Sequence, residues 1–469
     1  MKPGNTPIQL KPAHPRVIIK LTAPLPEESD VRYARIIERN GVLPWTGLAN
    51  DFQGIALAKL FTQPAQNRFR GVRATVEMPP MAAVDIRDTY YVVECGPNTD
   101  AEALAERLRN MPTVEKAYLE SGPMPPPKVD PITDPYFMEQ GYLGPAPLGI
   151  DAMYAWNLPG GDGEGTSMID VEQGWNHTHE DLVGAHVQLV HGFENDFHGH
   201  GTAVLGQIGA VDNAIGCIGI APRTAIRLSS QWIDQHNYST TQAIDAAARL
   251  LLAGDVMLLE AQFSYPSTPN TFLPVEVEET VFLAIRAATA KGIVVVEAGG
   301  NGTQDLDAYH DPATGRFVLN RNHADFMDSG AIIVGAASAA MPHQRLWFSN
   351  YGSRIDCYAW GDAIRTTGDG WRGLDDHEYT PDFGGTSGAS PIITGVVLCL
   401  QGIFRKRHAG RVLDPTLMRA LLSDGGLGTP SYDPAVDRIG SMPDIKKLCE
   451  HLGWWLNLLG KQPSNLSLE

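Results

Sequence analysis

Short apolar runs alternate with amphipathic segments along the chain after residue 131. Four of the runs are almost free of polar positions: TSMID (166–170), DVMLLEA (255–261), GIVVVEA (292–298) and AIIVGAA (331–337). Parallel strands that are buried on both faces need such continuous apolar runs. Between the second and third runs lies a helical pattern, EVEETVFLAIRAATAKG (276–292), which ends at a glycine suited to a helix C-terminus. This alternation predicts an α/β domain with a doubly wound, mostly parallel sheet.

A different pattern precedes residue 121. TYYVVEC (89–95) is β-branched and aromatic, VEKAYLE (114–120) alternates, and RVIIK (16–20) is a further apolar run, so all three are predicted as strands. Thr99 and Glu102 have the spacing of a capping box, and apolar residues recur at helical spacing after them. We therefore expect a small α+β domain in this part of the chain.

The segment SGPMPPPKVDP (121–131) separates the two patterns. It holds five prolines in eleven residues, which neither a helix nor a central strand tolerates, so an extended linker is expected. The predicted organisation is a small domain at 1–121, a proline-rich linker at 122–131, a large α/β domain at 132–456 and a C-terminal tail at 457–469.

Composition and charge narrow the class of protein. Of the 469 residues, 43% are hydrophobic and 19% charged, so a folded globular protein is expected. A net charge of −18 argues against nucleic acid or an anionic membrane as the main partner. No stretch is expected to span a membrane, and MKPGNTPIQLKPAHPR (1–16) lacks the apolar region of a secretory signal. We expect a protein that is cytoplasmic as made, or exported by a route without a standard signal peptide.

The cysteines do not indicate a disulfide framework. There are five of them, at positions 95, 217, 357, 399 and 449, and they form neither a CxxC pair nor a zinc spacing. Buried free thiols in a reducing compartment are therefore expected.

The stretch FGGTSGASPIITG (383–395) allows two interpretations of Ser387. Gly-Thr-Ser commonly opens a helix, because a serine oxygen can accept hydrogen bonds from the free N–H groups of the first turn. Pro391 and the apolar residues after it suit the start of a buried helix. Ser387 is then a capping residue. If a general base and an oxyanion donor lie nearby, Ser387 can instead be a nucleophile.

Candidates for these partners occur elsewhere in the chain. His200, in HGHGTAVLGQIGA (198–210), precedes a small-residue helix and is a candidate base. Asp170 ends the first buried strand and is a candidate for orienting that base. Asn301, in EAGGNG, follows the third strand and can donate a side-chain N–H to an oxyanion. Taken alone, each of the three is more simply a structural, cap or turn residue.

Taken together and in order, four segments resemble the Asp, His, Asn and Ser motifs of the subtilisin-like serine proteases: DVEQGWNHTHEDL, HGHGT, VVVEAGGNG and GGTSGASP. The signature around Ser387 is the most specific of them. DPYFMEQGYL, IGCIGIAP, LWFSNYG and RIGSMPD extend the resemblance over residues 132–447, and the N-terminal domain resembles the inhibitory propeptide of that family.

The resemblance implies a role for each candidate. Ser387 is the nucleophile, His200 the general base and acid, and Asp170 the carboxylate that fixes the His200 tautomer. Asn301 and the Ser387 N–H form the oxyanion hole, assisted by the positive end of the helix that opens at Ser387. One departure from the family is Ala203, where its members usually have His or Arg.

A second departure concerns substrate binding. LLEAQ (258–262) stands where the family usually has Ser-Leu-Gly-Gly, a segment implied to pair with the substrate backbone by strand addition. The candidate substrate contacts are Glu260, Ala261, Gln262, Glu297, Gly299 and Gly300. Because Glu260 and Glu297 lie on neighbouring predicted strands, they suggest a pocket for a basic residue before the scissile bond. Processing of the chain itself near Lys128–Val129 would agree with this preference.

The resemblance also implies a calcium site. Many family members hold the ion with an Asp before Pro-Tyr, the Asp of His-x-Asp-Leu and a loop after the catalytic-His helix, and calcium prefers such mixed oxygen ligands. Here the candidate ligands are Asp134, Asp181, Val211, Asn213, Ile215 and Cys217. Alternatively, Asp134 caps a turn and Asp181 a helix. Asp305, Asp307 and Asp311 are open to a further cation, an acidic pocket or a solvated surface.

The sequence thus predicts a serine endopeptidase that hydrolyses protein substrates through an acyl-enzyme, with its own N-terminal domain as an intramolecular inhibitor and no organic cofactor. Two other functions stay open. One is a pseudoprotease that uses the fold for binding, which the presence of all three triad residue types disfavours. The other is an enzyme that its N-terminal domain keeps latent and whose main biological role is regulation.

Overall fold

The structure is a computed structural model that describes residues 16–25, 33–61, 86–96, 99–120, 129–265 and 271–453. The chain divides into two units, Met1–Pro127 and Lys128–Glu469, and the boundary lies inside the proline-rich segment. Most of that segment and the predicted tail lie outside the described residues.

The described part of the smaller unit is an antiparallel sheet with helices. Its strand order is second, third, first, fourth. The elements are β1 (Arg16–Leu21), α1 (Tyr33–Arg39), α2 (Trp45–Asp51), β2 (Ala56–Lys59), a 3₁₀ turn (Ile86–Thr89), β3 (Tyr90–Glu94), α3 (Ala101–Arg109) and β4 (Val114–Leu119).

The three predicted strands of this unit are confirmed as β1, β3 and β4. The predicted helix is also present as α3, but its cap is Asp100 and not Thr99. The Asp100 carboxylate accepts a hydrogen bond from Ala103 N at 3.0 Å, whereas Thr99 Oγ1 donates to Gln53 O. The aspartate lies one residue closer to the helix and satisfies its free N–H group.

The larger unit is built on a seven-stranded sheet in which all strand pairs are parallel. Its strands are β5 (Ser167–Glu172), β6 (Gln188–His191), β7 (Ala225–Ser230), β8 (Val256–Leu259), β11 (Val294–Ala298), β12 (Ile332–Ala337) and β13 (Cys357–Trp360), in the spatial order β13-β12-β11-β8-β5-β7-β6. Three small antiparallel pairs lie outside this sheet: β9 (Gln262–Phe263) with β10 (Leu273–Pro274), β14 (Ile364–Thr367) with β15 (Tyr379–Phe383), and β16 (Gly428–Pro430) with β17 (Ser441–Pro443).

Helices pack on this sheet and on one another. They are α4 (Ala152–Ala155), α5 (His198–Gly209), α6 (Thr240–Leu250), α7 (Glu279–Ala290), α8 (Thr386–Arg407), α9 (Pro415–Ser423), α10 (Pro434–Asp437) and α11 (Ile445–His451). Helix α8 packs against α5 and against β8, β11, β12 and β13, while α6 packs against α7 and against β5, β6 and β7. This arrangement is the predicted α/β architecture.

The apolar runs of the sequence coincide with the central strands. Every residue of β8, β11, β12 and β13 is buried, as strands covered on both faces require. The predicted helix at 276–292 is α7, and Gly292 follows its end with φ 86°. One boundary differs in a way that matters for the site, because β5 runs to Glu172 and not only to Asp170.

Helix α8 is the longest element and the core of the larger unit. It is long and apolar enough to cross a membrane, contrary to the expectation that no stretch reaches that length. However, 94% of its apolar window is buried inside the protein, since the helix packs on four strands of the sheet. All five cysteines are buried free thiols, as expected, whereas the reducing compartment stays a prediction.

Candidate active site

Ser387 is the second residue of α8. The cap position is Gly385, which has φ 85° and is followed by Thr386, and no side chain caps the helix. Ser387 is therefore not the capping residue. Its side chain lines a cavity of about 260 Å³. Because the first N–H groups of a helix have no acceptor within the helix, α8 directs its positive end towards this position.

His200 lies in the first turn of α5 and borders the same cavity. Its backbone N–H is within hydrogen-bond distance of the carbonyl oxygens of Phe197 (3.0 Å) and Trp371 (2.8 Å). Burial lowers the pKa of His200, which favours the neutral imidazole that a general base requires. In the part of the chain that the structure describes, no hydrogen bond joins His200 to Ser387. Such bonds are often long in resting sites and shorten when substrate binds.

The carboxylate that contacts His200 belongs to Glu172 and not to Asp170. His200 Nδ1 forms a short hydrogen bond with Glu172 Oε1. Asp170 is fully buried, and its Oδ2 accepts a hydrogen bond from Trp175 Nε1 at 2.8 Å. This geometry contradicts the expectation that Asp170 orients the imidazole, and Glu172 takes that place.

The period of the strand explains the error. Residues two apart on a strand point to the same face, so Asp170 and Glu172 share a face of β5. The apolar run TSMID indicated a strand that ends at Asp170, whereas β5 continues for two residues. The acid at the carboxyl end of the strand is the one that meets His200. The signal in the sequence was the second acid of Asp-Val-Glu.

Asn301 contacts the first residue of α8. Its Oδ1 accepts hydrogen bonds from Thr386 N (2.9 Å) and Thr386 Oγ1 (3.1 Å). Because a backbone N–H can only donate, this contact fixes which atom of the amide is the oxygen. A Cβ atom built on Gly385 would lie 3.3 Å from Asn301 Nδ2 and 3.6 Å from Ser387 N. The two expected oxyanion donors therefore border one small space that a glycine leaves open.

Aromatic residues that the sequence did not single out form a wall of the cavity. Trp371, from the loop between β14 and β15, packs edge-on against Phe197 with 4.8 Å between ring centroids. The Arg372 guanidinium lies 4.5 Å from the centre of the Phe197 ring. Trp371 is nevertheless 57% exposed, which leaves an apolar surface beside His200. Gln173, Gln231, Ala298 and Thr386 complete the lining.

Three of the expected substrate contacts, Glu260, Ala261 and Gln262, line the cavity. Gln262 Oε1 accepts a hydrogen bond from Asn301 N at 3.2 Å. Glu260 is only 7% exposed, and its Oε1 lies 2.5 Å from Ser390 Oγ. The segment LLEAQ therefore borders the site, and its two polar side chains are both bound to protein atoms.

Glu297 is not a cavity residue and corrects the proposed pair of pocket acids. Its side chain is fully buried, and its Oε1 accepts a hydrogen bond from Glu276 N at 3.0 Å. Its neighbour Ala298 lines the cavity, and since adjacent strand residues point to opposite faces, Glu297 points away. Of the two acids expected to bind a basic substrate residue, Glu260 alone borders the cavity.

Gly299 and Gly300 are likewise not among the described residues that line the cavity. The Gly299 N–H donates to Val334 O at 2.8 Å, and the Gly300 N–H donates to Thr386 Oγ1 at 3.2 Å. The two glycines therefore connect the segment before Asn301 to β12 and to α8.

The expected calcium ligands Asp134 and Asp181 are both buried. Asp181 Oδ2 accepts a hydrogen bond from Cys217 N at 2.7 Å, and Asn213 N lies 3.4 Å from Asp134 Oδ1. The second oxygen of each carboxylate, Asp134 Oδ2 and Asp181 Oδ1, has no hydrogen-bond partner. Burial raises the pKa of Asp134 to about 6 and that of Asp181 to about 7.

The loop at 211–217 folds around these two carboxylates. Val211 N donates to Asp181 O, and Asn213 Oδ1 accepts from Ile215 N at 2.9 Å. Within the described residues, no group of three or more His, Cys, Asp or Glu side chains could hold a metal. Two orphaned carboxylate oxygens beside carbonyl and amide groups nevertheless fit the mixed oxygen set that calcium takes.

The remaining acidic candidates take part in protein contacts. Arg438 binds Asp305 at 2.5 Å and Asp307 at 3.0 Å, and the Asp311 carboxylate accepts from Thr314 N in a turn. Arg438 thus supplies a cation to Asp305 and Asp307, whereas Asp311 lines a different cavity together with Glu276, Glu279 and Arg316.

One cavity thus brings together a hydroxyl at a helix start and an imidazole bound to a carboxylate, and the Asn301 amide lies beside the same helix start. Acyl transfer through a serine needs these groups: a nucleophile, an oriented base and donors for an oxyanion.

Comparison with known proteins points to the same chemistry. Residues 171–433 match the subtilase family, a range that begins after Asp170 and includes Glu172. An alkaline proteinase from Hapsidospora chrysogena is 28% identical over 290 residues, covering 57% of this chain and 60% of that protein. The subtilisin-like serine protease AsES from Sarocladium strictum is 29% identical over 251 residues, covering 51% of this chain and 54% of that protein. The chain therefore matches little more than half the length of these curated relatives.

A solved structure is similar as well. The prenylagaramide maturation protease PagA aligns with a TM-score of 0.47 and 20% identity, covering 66% of this chain and 98% of that chain.

Proposed function

Because the chain belongs to the subtilase family, we propose that it is a serine endopeptidase that cleaves peptide bonds in protein substrates. Ser387 is the nucleophile, His200 the general base and acid, and Glu172 the carboxylate that orients His200. Asn301 and the Ser387 N–H bind the oxyanion. The contact between His200 Nδ1 and Glu172, in a cavity shared with Ser387, carries this proposal.

The two nitrogens of His200 have different roles in this mechanism. Nδ1–H donates to Glu172, so the lone pair of the neutral ring is on Nε2. Nε2 takes the proton of Ser387 as the Ser387 oxygen attacks the carbonyl carbon of the scissile bond. The same nitrogen then gives the proton to the leaving amine as the C–N bond breaks. Water repeats the sequence on the acyl-enzyme and releases the second product.

The tetrahedral intermediate carries its negative charge on the former carbonyl oxygen. Asn301 Nδ2 and Ser387 N both lie near the space beside Gly385, where they can donate to that oxygen. The positive end of α8 adds to their effect. Because Asn301 is held by its Thr386 contacts and Ser387 N by its place in the first turn of α8 before substrate arrives, little reorganisation is needed during the reaction.

A fluorophosphonate probe, which reacts with activated serines, tests the proposal. We expect labelling of the wild type and none of Ser387→Ala, with each protein examined before and after limited proteolysis. A folded wild type that neither takes up the probe nor cleaves peptides in either state would favour the pseudoprotease. Since Ser387 and His200 act as one unit, a double alanine variant should be no slower than either single variant.

We also propose that the N-terminal unit is an intramolecular inhibitor, so that the protein is made as a latent zymogen. Two features support this: the unit has its own apolar core, and a proline-rich segment joins it to the larger unit. Lys128, at the expected processed bond, lies outside the described residues. Sequencing the N-terminus of the activated enzyme and comparing peptides with Lys, Leu or Phe before the bond tests both the site and the basic preference.

A calcium ion is a further proposal. Asp134, Asp181 and Asn213 would hold it with carbonyl oxygens of Val211, Ile215 and Cys217, and it would neutralise the orphaned carboxylate oxygens. At a hundredfold excess over Kd, such an ion stabilises the fold by about 2.7 kcal/mol. Melting in EDTA should then occur several degrees below melting in calcium, and Asp134→Asn should remove the difference. Equal melting temperatures of the wild type in both buffers would eliminate the site.

A further inference from the structure

A carboxyl group that the proposed mechanism does not use lies in the wall of the active-site cavity. Glu260 directly follows β8, is 7% exposed and borders the same cavity as His200 and Ser387. Its Oε1 lies 2.5 Å from Ser390 Oγ, whereas its Oε2 is buried without a hydrogen-bond partner. No lysine or arginine is among the described residues that line this cavity.

Ser390 has one hydrogen for two contacts, and the contact that receives it bears on the charge of Glu260. Ser390 Oγ lies 2.7 Å from Thr386 O and 2.5 Å from Glu260 Oε1. A hydroxyl has one hydrogen, and a carbonyl oxygen can only accept. When the Ser390 hydroxyl donates to Thr386 O, the hydrogen in the second contact must come from the carboxyl group. Glu260 is then a neutral acid that donates to Ser390 Oγ.

Burial and the two nearby acids favour the same state of Glu260, whereas His200 opposes it. It faces Glu172 and Asp170 on β5 and His200 on α5, while α8 contributes the Ser390 hydroxyl. Glu172 is bound to His200, and Asp170 accepts from Trp175. Burial raises the pKa of Glu260, and the nearby charge of Glu172 raises it further.

We propose that Glu260 is a positioning residue that works as a neutral carboxylic acid and sets the alkaline limit of the activity. This inference rests on the proposed function. The O–H of Glu260 links the end of β8 to α8 one turn after Ser387. When the proton is lost, the link to Ser390 loses its hydrogen, and a second negative charge stands beside Glu172. That charge opposes the oxyanion which develops next to Ser387.

The pH dependence of kcat/KM on an uncharged peptide tests this role. Above the pKa of Glu260, the wild type should lose about tenfold in kcat/KM per pH unit through a fall in kcat. Glu260→Gln can donate its amide N–H to Ser390 but cannot ionise, so this alkaline limb should disappear. Glu297→Gln, a buried acid outside the cavity, is the matched control and should keep the limb.

An unchanged alkaline limb in Glu260→Gln would overturn the proposal. If that variant instead lost a preference for lysine over leucine while keeping the limb, Glu260 would be a substrate-binding residue. Wild-type labelling by the fluorophosphonate probe in the same samples would show that the proposed function stands even though the role of Glu260 fails.

A second measurement does not depend on activity. Infrared difference spectra of the wild type against Glu260→Gln should show the carbonyl band of a neutral carboxylic acid at neutral pH. If Glu260→Gln does not fold, Ser390→Ala serves instead, because removal of the acceptor should shift the same band. A Glu260 that is ionised at neutral pH would give no such band, and the proposal would be wrong.

Discussion

Two groups of buried acids in the larger unit differ in whether a permanently charged cation lies beside them. In the first, the fully buried Arg354 guanidinium binds Glu276 at 2.6 and 2.9 Å and Asp356 at 2.9 Å. Arg321 adds a second cation to Asp356 at 2.5 Å. Glu297 lies beside this cluster, which joins the 3₁₀ turn before α7 (Val275–Val277) to the start of β13. We refer to these five residues as the arginine cluster.

The second group surrounds His200 and has no permanent cation among the described residues that line the cavity. Asp170, Glu172 and Glu260 are its acids, and each keeps one carboxyl oxygen without a hydrogen-bond partner. Burial raises the pKa of all three. We refer to these four residues as the histidine cluster.

The difference teaches what each cluster is for. An uncompensated buried charge costs several kcal/mol, so a cluster that serves only the fold is balanced by guanidinium groups. In the proposed mechanism, the positive charge of the histidine cluster arises on the imidazole only while a proton is being transferred. Permanent cations there would bind the carboxylates in the resting enzyme and leave less stabilisation for that moment. The site therefore gives up some stability for function.

Replacing the acid that contacts His200 should have the largest effect. Glu172→Gln is expected to lower kcat by about 10⁴, because the amide no longer fixes the tautomer that leaves Nε2 free. Asp170→Asn is the matched control, since it keeps an oxygen for Trp175 Nε1, and its loss should be far smaller. Steady-state kinetics on one peptide, with folding checked by circular dichroism, measures both. A larger loss in Asp170→Asn would return the orienting role to Asp170.

Breaking the arginine cluster should instead reduce stability. Arg354→Ala leaves Glu276 and Asp356 buried without their shared cation, which is expected to cost about 3–5 kcal/mol of unfolding free energy. Urea denaturation measures this. Glu172→Gln removes a buried acid that lacks a cation, so its unfolding free energy should be unchanged or higher. If both variants lost the same stability, the two clusters would not differ in the way described.

A substitution that removes an oxyanion donor but leaves all three acids in place separates an effect on the oxyanion from an effect on the titrating groups. Asn301→Ala removes one oxyanion donor and should lower kcat by about 10²–10³. The pH dependence of the remaining activity should not move, because no titrating group of the histidine cluster has changed. A shifted pH profile would mean that Asn301 acts through the acids and not on the oxyanion.

The smallest effect on activity is expected at Glu297, which lies outside the cavity and is the member of the arginine cluster without a guanidinium of its own. Burial and the charge of Glu276 raise its pKa above the unfolded value of about 4.3, so its proton stabilises the fold at low pH. As pH rises through the raised pKa, the wild type should lose that stability, while Glu297→Gln should not. The gap grows by about 1.4 kcal/mol for each unit of pKa shift. Urea denaturation at several pH values measures it, and a gap that shrinks with pH would contradict this.

Much of the fold could be predicted because the hydrophobic pattern of each segment agrees with the burial of its residues in the structure. The central strands are continuous apolar runs, and α7 and α8 follow helical patterns with a glycine at the end or the start. The positions of Ser387, His200 and Asn301 at element boundaries could also be predicted, since each sits in a short motif. The aromatic wall of Trp371 and Phe197 was missed, because it joins two segments far apart in the chain.

The sequence alone determined which elements form and which residue types can carry the chemistry. The period of β5 put Asp170 and Glu172 on one face, but it could not say which of them meets His200. That depends on where β5 ends relative to the start of α5, which the packing of the sheet decides. In the same way, Glu297 and Ala298 are neighbours in the chain, and only the surrounding elements determine that Ala298 faces the cavity beside Ser387 and Glu297 faces Glu276. Local periodicity assigns a side chain to one face of its element, whereas the tertiary structure determines which residues lie opposite that face.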